Sequence, residues 1–257
     1  MEQLGSSPSL EHRAKLVTPT GYWEVRLYPD AGEATGSFHS AGPASAGGYA
    51  RTDETVAESA TDGARRARGL VRRYCAGNRL NRLGTLTYRG DGCHDPRSLR
   101  QDVGAFFRRL RYRIGEPFPY LWTGEWHKSG HGLHAHFAVG RYVRRGWIEE
   151  AWGHGFVHIK LLGDLPAGAS SLIEARAAAR YLAKYVGKDL GATVPGLHRY
   201  DVAQGFQPGR VALRGRTAWE AIDRASHAMG SEPSYLWRSS EVEDWRRPPA
   251  VFAQWNA

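Results

Sequence analysis

Two β-rich runs, FPYLWTGEW (118–126) and LHAHFAVG (133–140), are separated by only six residues, HKSGHG. A connection that short cannot carry a parallel crossover, so the runs have to pair as an antiparallel hairpin. Side chains along a strand alternate faces. His134, His136 and Ala138 therefore point to one side, and Leu133, Ala135, Phe137 and Val139 to the other, where helices would cover them. Folding the hairpin about its loop sets Glu125 opposite His134, with both side chains on one face.

Two imidazoles about 7 Å apart along a strand, with a carboxylate on the next strand, can converge on one ion. A His/His/Glu set with open coordination positions suits a catalytic metal site rather than a closed structural one. The pair H-x-H is weak by itself, because strand histidines are as often hydrogen-bonded cover. His127 and His131 fall in the hairpin loop, and Cys93-His94-Asp95 reads as a turn after a strand. His158 reads as sheet-face cover or a contact to DNA.

The flanking sequence supplies more strands and the helices to cover them. RLGTLTYRG (82–90) and GFVHIKLL (155–162) read as strands. Helices are expected over 52–76, from Pro96 to about Arg113, over RRGWIEEAWG, and over SLIEARAAARYLAKYVGKDLG. In the second of these, Leu99, Val103, Phe106 or Phe107, and Leu110 share a stripe. This is an α+β pattern: a mostly antiparallel sheet with helices packed on it. Residues 31–50 are mainly Gly, Ala and Ser and read as flexible; the Trp-containing tail is expected to wrap the core. The expected division is an N-terminal extension (1–78) with a basic helix, a core (79–190) and a C-terminal accessory region (191–257).

At about 100° per residue, Leu172, Ala175, Ala179, Leu182, Val186 and Leu190 form the buried stripe of the last core helix. Tyr181, Tyr185 and Lys188 form a second stripe. Tyrosines at i and i+4 can simply be packing cover. They can also be nucleophiles, but a phenol with an ordinary pKa of about 10 needs a nearby cation or metal to attack at neutral pH.

Charge adds a partner class. The net charge is +9, yet residues 65–113 hold 14 arginines against three aspartates, a net of +11, which leaves −2 for the remainder. A localised arginine excess favours phosphates. Arg108, Arg109, Arg111 and Arg113 are the candidate nucleic-acid contacts. No apolar run reaches the roughly 18 residues of a membrane span, and no secretory signal opens the chain. With two cysteines, expected as reduced thiols, a cytoplasmic location is expected.

These residues resemble the HUH endonucleases. HAH fits their paired-histidine motif, YLAKYVGKD fits the Y-x-x-x-Y-x-x-K tyrosine motif of rolling-circle replication initiator (Rep) proteins, and LGTLTY looks like the first Rep motif. The three occur in the family's order over roughly residues 80–190. The resemblance implies a central five-stranded antiparallel sheet with flanking helices, related to the RNA-recognition fold. It implies one divalent ion, Mg²⁺ or Mn²⁺, on His134, His136 and Glu125. It implies attack by a tyrosine on single-stranded origin DNA, with a 5′-phosphotyrosine link and a free 3′-OH. Tyr185 matches the tyrosine of Y-x-x-K, with Tyr181 one turn earlier and Lys188 as the cation. No G-x-x-x-x-G-K-[ST] stretch occurs, so unwinding is expected from a host helicase. A transposase or relaxase of the same superfamily, or a non-catalytic nucleic-acid-binding module, are the competing expectations.

Overall fold

The computed structural model describes residues 20–40, 53–160, 168–186 and 200–256. In chain order the elements are β1 (Gly21–Tyr28), β2 (Glu33–Ser40), α1 (Asp53–Gly77), β3 (Arg82–Tyr88), α2 (Pro96–Ile114), β4 (Tyr120–Trp126), β5 (Leu133–Val139) and α3 (Arg145–Trp152). There follow β6 (Gly155–Lys160), α4 (Ser171–Val186), β7 (Tyr200–Val202), β8 (Val211–Gly215), α5 (Ala218–Met229), β9 (Tyr235–Arg238) and β10 (Ala250–Gln254). The described residues form an α+β fold with two five-stranded antiparallel sheets.

The first sheet has the order β6-β3-β5-β4-β7. The β4–β5 hairpin lies inside it, and β5 is buried along its whole length. Burial on both faces explains the near-continuous apolar run. Leu133, Ala135, Phe137 and Val139 pack with Leu86 and Val157 against α2 and α3. Both Phe106 and Phe107 join that core. On the other face Leu83, Leu121 and Ala138 meet α1 through Val71, Tyr74 and Cys75, and α4 through Ala178, Ala179 and Leu182. Asp95 is the N-cap of α2: its carboxylate accepts from the Arg97 and Ser98 amides, with Pro96 opening the helix. The Cys93-His94-Asp95 turn is thus a helix cap. Its Cys93 carbonyl also accepts the Leu133 amide at 2.6 Å, which ties it to the start of β5.

The second sheet, β8-β1-β2-β10-β9, joins strands from both ends of the chain. The tail does more than wrap the core: it contributes β8, β9 and β10 here and β7 to the first sheet. Strand β2 lies within the Gly/Ala/Ser stretch expected to be flexible. It is a strand because β1 and β10 pair with it on both sides, so tertiary pairing overrides a weak local preference. The rest of that stretch lies outside the described residues, apart from the short turn before β2. α5 covers one face of this sheet, packing Ala221, Ile222 and Ala225 on Val25, Leu27, Ala34 and Val251.

Arg176 joins α4 to the second sheet. It is only 6% exposed. Its guanidinium donates to the carbonyls of Ala31, Gly32 and Trp255 at 2.8–3.0 Å and to Asn256 Oδ1 at 2.8 Å. Gly32 has φ +59, and a Cβ there would meet the Trp255 carbonyl at 2.7 Å and the guanidinium at 2.9 Å. A glycine therefore suits both the left-handed backbone and the close approach. The helix that carries the tyrosines is braced by a turn and a strand end far away in sequence.

Candidate active site

Strand register assembles the site. Glu125 pairs with His134, and Thr123 with His136. On the other side of β5, Thr87 pairs with His134 and Thr85 with His136. Directly paired residues share a face, so all six side chains sit on the side covered by α1 and α4. The histidines are 7% and 5% exposed.

His134 Nε2 and His136 Nε2 lie 3.0 Å apart, and Glu125 Oε2 is 3.3 Å and 3.1 Å from them respectively. In octahedral coordination with bonds of about 2.1 Å, neighbouring ligands are about 3.0 Å apart. The spacing therefore fits one ion held by two imidazole nitrogens and a carboxylate oxygen. Among the described residues this is the cluster of His, Cys, Asp and Glu able to hold a metal. The two-nitrogen, one-oxygen donor set suits an octahedral divalent cation with positions left over for substrate.

Thr85 completes the support. Its Oγ1 is 2.9 Å from His136 Nδ1. A metal on Nε2 requires the proton on Nδ1, and the hydroxyl can accept it, which fixes both tautomer and ring orientation. Sequence reasoning missed Thr85, because its role depends on β3 lying next to β5. Gly84 precedes it, and a Cβ at Gly84 would fall 2.3 Å from the Phe137 ring. Its absence lets that ring pack flat against β3 on the opposite face.

α4 brings the tyrosines. Tyr185 stacks on His136, with ring centroids 4.0 Å apart and planes at 21°. Tyr181 meets the same ring edge-on at 5.8 Å, and the two tyrosine rings are 5.2 Å apart. Burial first, then the hydrogen bond with Tyr181, pushes the Tyr185 phenol well above its ordinary range; the Glu125 charge adds to this. It is therefore neutral at physiological pH until substrate or a cation changes its surroundings. Lys188, the expected cation, lies outside the described residues, as does Leu190. The structure instead sets Lys160 Nζ over the Tyr181 ring at 4.9 Å, with Lys184 Nζ at 6.0 Å. Lys160 could be read in the sequence as the end of a strand, but nothing there showed that it faces α4.

The same sheet face continues onto β6. Phe156 pairs with Thr87 and His158 with Thr85, so both share the face of the histidines. Phe156 is 68% exposed. His127 approaches His134 with ring centroids 5.4 Å apart, while its Nδ1 is 2.6 Å from Ser129 Oγ. His131 Nε2 is 3.0 Å from the Tyr88 carbonyl oxygen.

The α2 arginines are elsewhere. α2 packs on the sheet face opposite the histidines. Arg109 donates to the Ala151 and Trp152 carbonyls at the end of α3, and Arg113 pairs with Glu150. Arg108 and Arg111 are exposed on the same helix. The structure does not bring these four to the cluster.

No described helix is long and apolar enough to cross a membrane. Neither the curated proteins nor the solved structures include a match to this chain. Residues 81–190, the span from the start of β3 through α4, match the family model of replication-associated proteins of the ORF2 type, which is consistent with a rolling-circle Rep protein and suggests replication initiation, DNA binding and endonuclease activity in general.

Proposed function

We propose that the chain is a metal-dependent endonuclease and ligase that nicks single-stranded DNA at a replication origin through a 5′-phosphotyrosine intermediate. The observation that carries this is the stack of Tyr185 on His136, whose Nε2 also lies 3.0–3.1 Å from His134 and Glu125. A nucleophile and a metal-binding cluster share one side chain as neighbour.

A divalent ion on His134, His136 and Glu125 supplies Lewis-acid polarisation of a phosphoryl oxygen. Tyr185 forms the bond to phosphorus as the bond to the 3′ oxygen breaks. The phenolic proton ends, by way of solvent, on the departing oxygen, which leaves a 3′-OH able to prime synthesis. Attack by a 3′-OH on the phosphotyrosine reverses the step and rejoins DNA. Tyr181 accepts the Tyr185 hydroxyl or acts as a second nucleophile. Lys160 and Lys184 offset the negative charge that develops on the phosphate. Lys188 would add to them. Phe156 and His158 offer the incoming strand a ring to stack on and a polar contact beside the cluster.

The experiment is cleavage of end-labelled single-stranded origin DNA with and without Mn²⁺ or Mg²⁺. The reading expects cleavage only with metal, a product that a polymerase can extend from its 3′ end, and loss of cleavage in His136→Ala. Cleavage that persists in EDTA, or a product with a 3′-phosphate, would reject it.

A further inference from the structure

α5 covers only one face of the second sheet. The other face presents Tyr22, Glu24 and Arg26 of β1, His39 of β2, Phe252 of β10 and Trp237 of β9. Its alternation follows the register, in which Tyr22 pairs with His39 and Phe252 with Trp237. The basic second half of α1 walls this face. Between them runs a groove of about 690 Å³, lined by six arginines (Arg26, Arg65, Arg66, Arg68, Arg72 and Arg73) against one acid, Glu24.

The pairing within the groove leaves positive charge over. Glu33, fully buried, is shared by Arg72 at 2.7 Å and Arg73 at 3.7 Å. Glu24 is shared by Arg26 and Arg214. Asp62 is shared by Arg65 and Arg247. In each case one carboxylate faces two guanidiniums. Arg66 and Arg68 are exposed and pair with no acid among the described residues. Aromatic rings are interleaved with this charge. Arg72 lies over Phe252 at 4.6 Å, Arg73 over Tyr28 at 4.8 Å and Arg214 over Tyr22 at 4.8 Å. Trp237 and Trp245 meet at 5.3 Å, and His39 stacks on Tyr22 at 5.3 Å.

We infer that this groove is a second DNA-binding surface, distinct from the nicking site, that holds single-stranded DNA with its phosphates along α1 and its bases on the sheet. The arginine row matches a polyanion in charge. Half-exposed ring faces suit unpaired bases, since a duplex hides its base faces in the stack. α1 is common to both sites: its apolar side packs with α4 in the core beneath the tyrosines, and its arginines face the groove. DNA held here would tether the substrate molecule to the nicking enzyme, raising its local concentration. Binding at the groove does not need the nicking reading to hold.

The test is fluorescence anisotropy of the full chain with a labelled oligothymidylate in EDTA, so that no cleavage occurs, over a series of salt concentrations. Each phosphate contact contributes about 0.7 to the slope of log affinity against log salt for a single strand. The double variant Arg66→Ala/Arg68→Ala should bind more weakly, with the slope reduced by about 1.4. These side chains are exposed, so the variant keeps its fold. Trp237→Ala should weaken binding roughly fivefold or more with the slope unchanged, because stacking carries no counterion release. Wild-type affinity and slope in both variants would overturn the groove, and so would tighter binding to a duplex of the same length. Cleavage assays on the same variants decide the nicking reading separately.

Discussion

Thr85→Val tests how the metal cluster is held. Valine keeps the shape and strand preference of threonine and removes only the hydroxyl. In the native protein that hydroxyl stands 2.9 Å from His136 Nδ1. It can donate to a bare Nδ1 or accept from Nδ1–H, so it serves either tautomer. Metal on Nε2 permits only the Nδ1–H form. In the variant the metal-free protein can shift its tautomer or ring to compensate, whereas the metal-bound protein must keep a buried N–H that has lost its hydroxyl partner. A buried donor in that position costs about 1–3 kcal/mol, and the cost falls on the bound state. Metal affinity should drop about 10- to 100-fold, in line with the usual effect of losing a partner behind a ligating histidine. Calorimetric titration with Mn²⁺ measures this directly, with thermal melting of the metal-free proteins as control. A dissociation constant within about twofold of wild type, at equal metal-free stability, would refute the argument that Thr85 orients His136.

Arg176→Met should lower stability by about 3 kcal/mol or more, because three carbonyls and Asn256 lose a buried charged donor; denaturant unfolding reads it, and a change below about 1 kcal/mol would contradict the bracing role. Gly84→Ala should cost about 1–3 kcal/mol through overpacking against Phe137, whose ring would have to leave the 2.3 Å approach; a melting temperature equal to wild type would show that β3 yields instead. Phe156→Ala should weaken single-strand binding by about 1–3 kcal/mol with metal affinity unchanged, since Phe156 lies beside the cluster without touching it; unchanged binding would take the DNA path off β6.

The hairpin was legible because its loop is short. Six residues between two strands force the pairing, and period-two alternation then fixes which side chains meet, so Glu125 and His134 could be paired from the sequence alone. The buried stripe of α4 was legible for the same kind of reason, a local period; Arg176 broke it, because a buried guanidinium there only makes sense once the Ala31, Gly32 and Trp255 carbonyls are known to converge. What was not legible is non-local. The β2 strand depends on β1 and on β10, the latter roughly 200 residues away in sequence, and a Gly/Ala/Ser composition gives no sign of either. Thr85 and Lys160 acquire their roles from the order β6-β3-β5, which no spacing encodes. The arginines were counted correctly as a basic segment, but a count has no direction: those of α2 lie on the far side of the sheet from the histidines, while those of α1 wall the groove on the second sheet.

The central claim is covalent attachment through a tyrosine of α4. Its most direct test is a denaturing gel of the protein incubated with labelled single-stranded origin DNA and Mn²⁺, comparing wild type with Tyr185→Phe, Tyr181→Phe and the double variant. The account predicts a labelled protein–DNA band in wild type that disappears in EDTA, falls sharply in Tyr185→Phe and is absent in the double variant. A band of wild-type intensity in the double variant would contradict it.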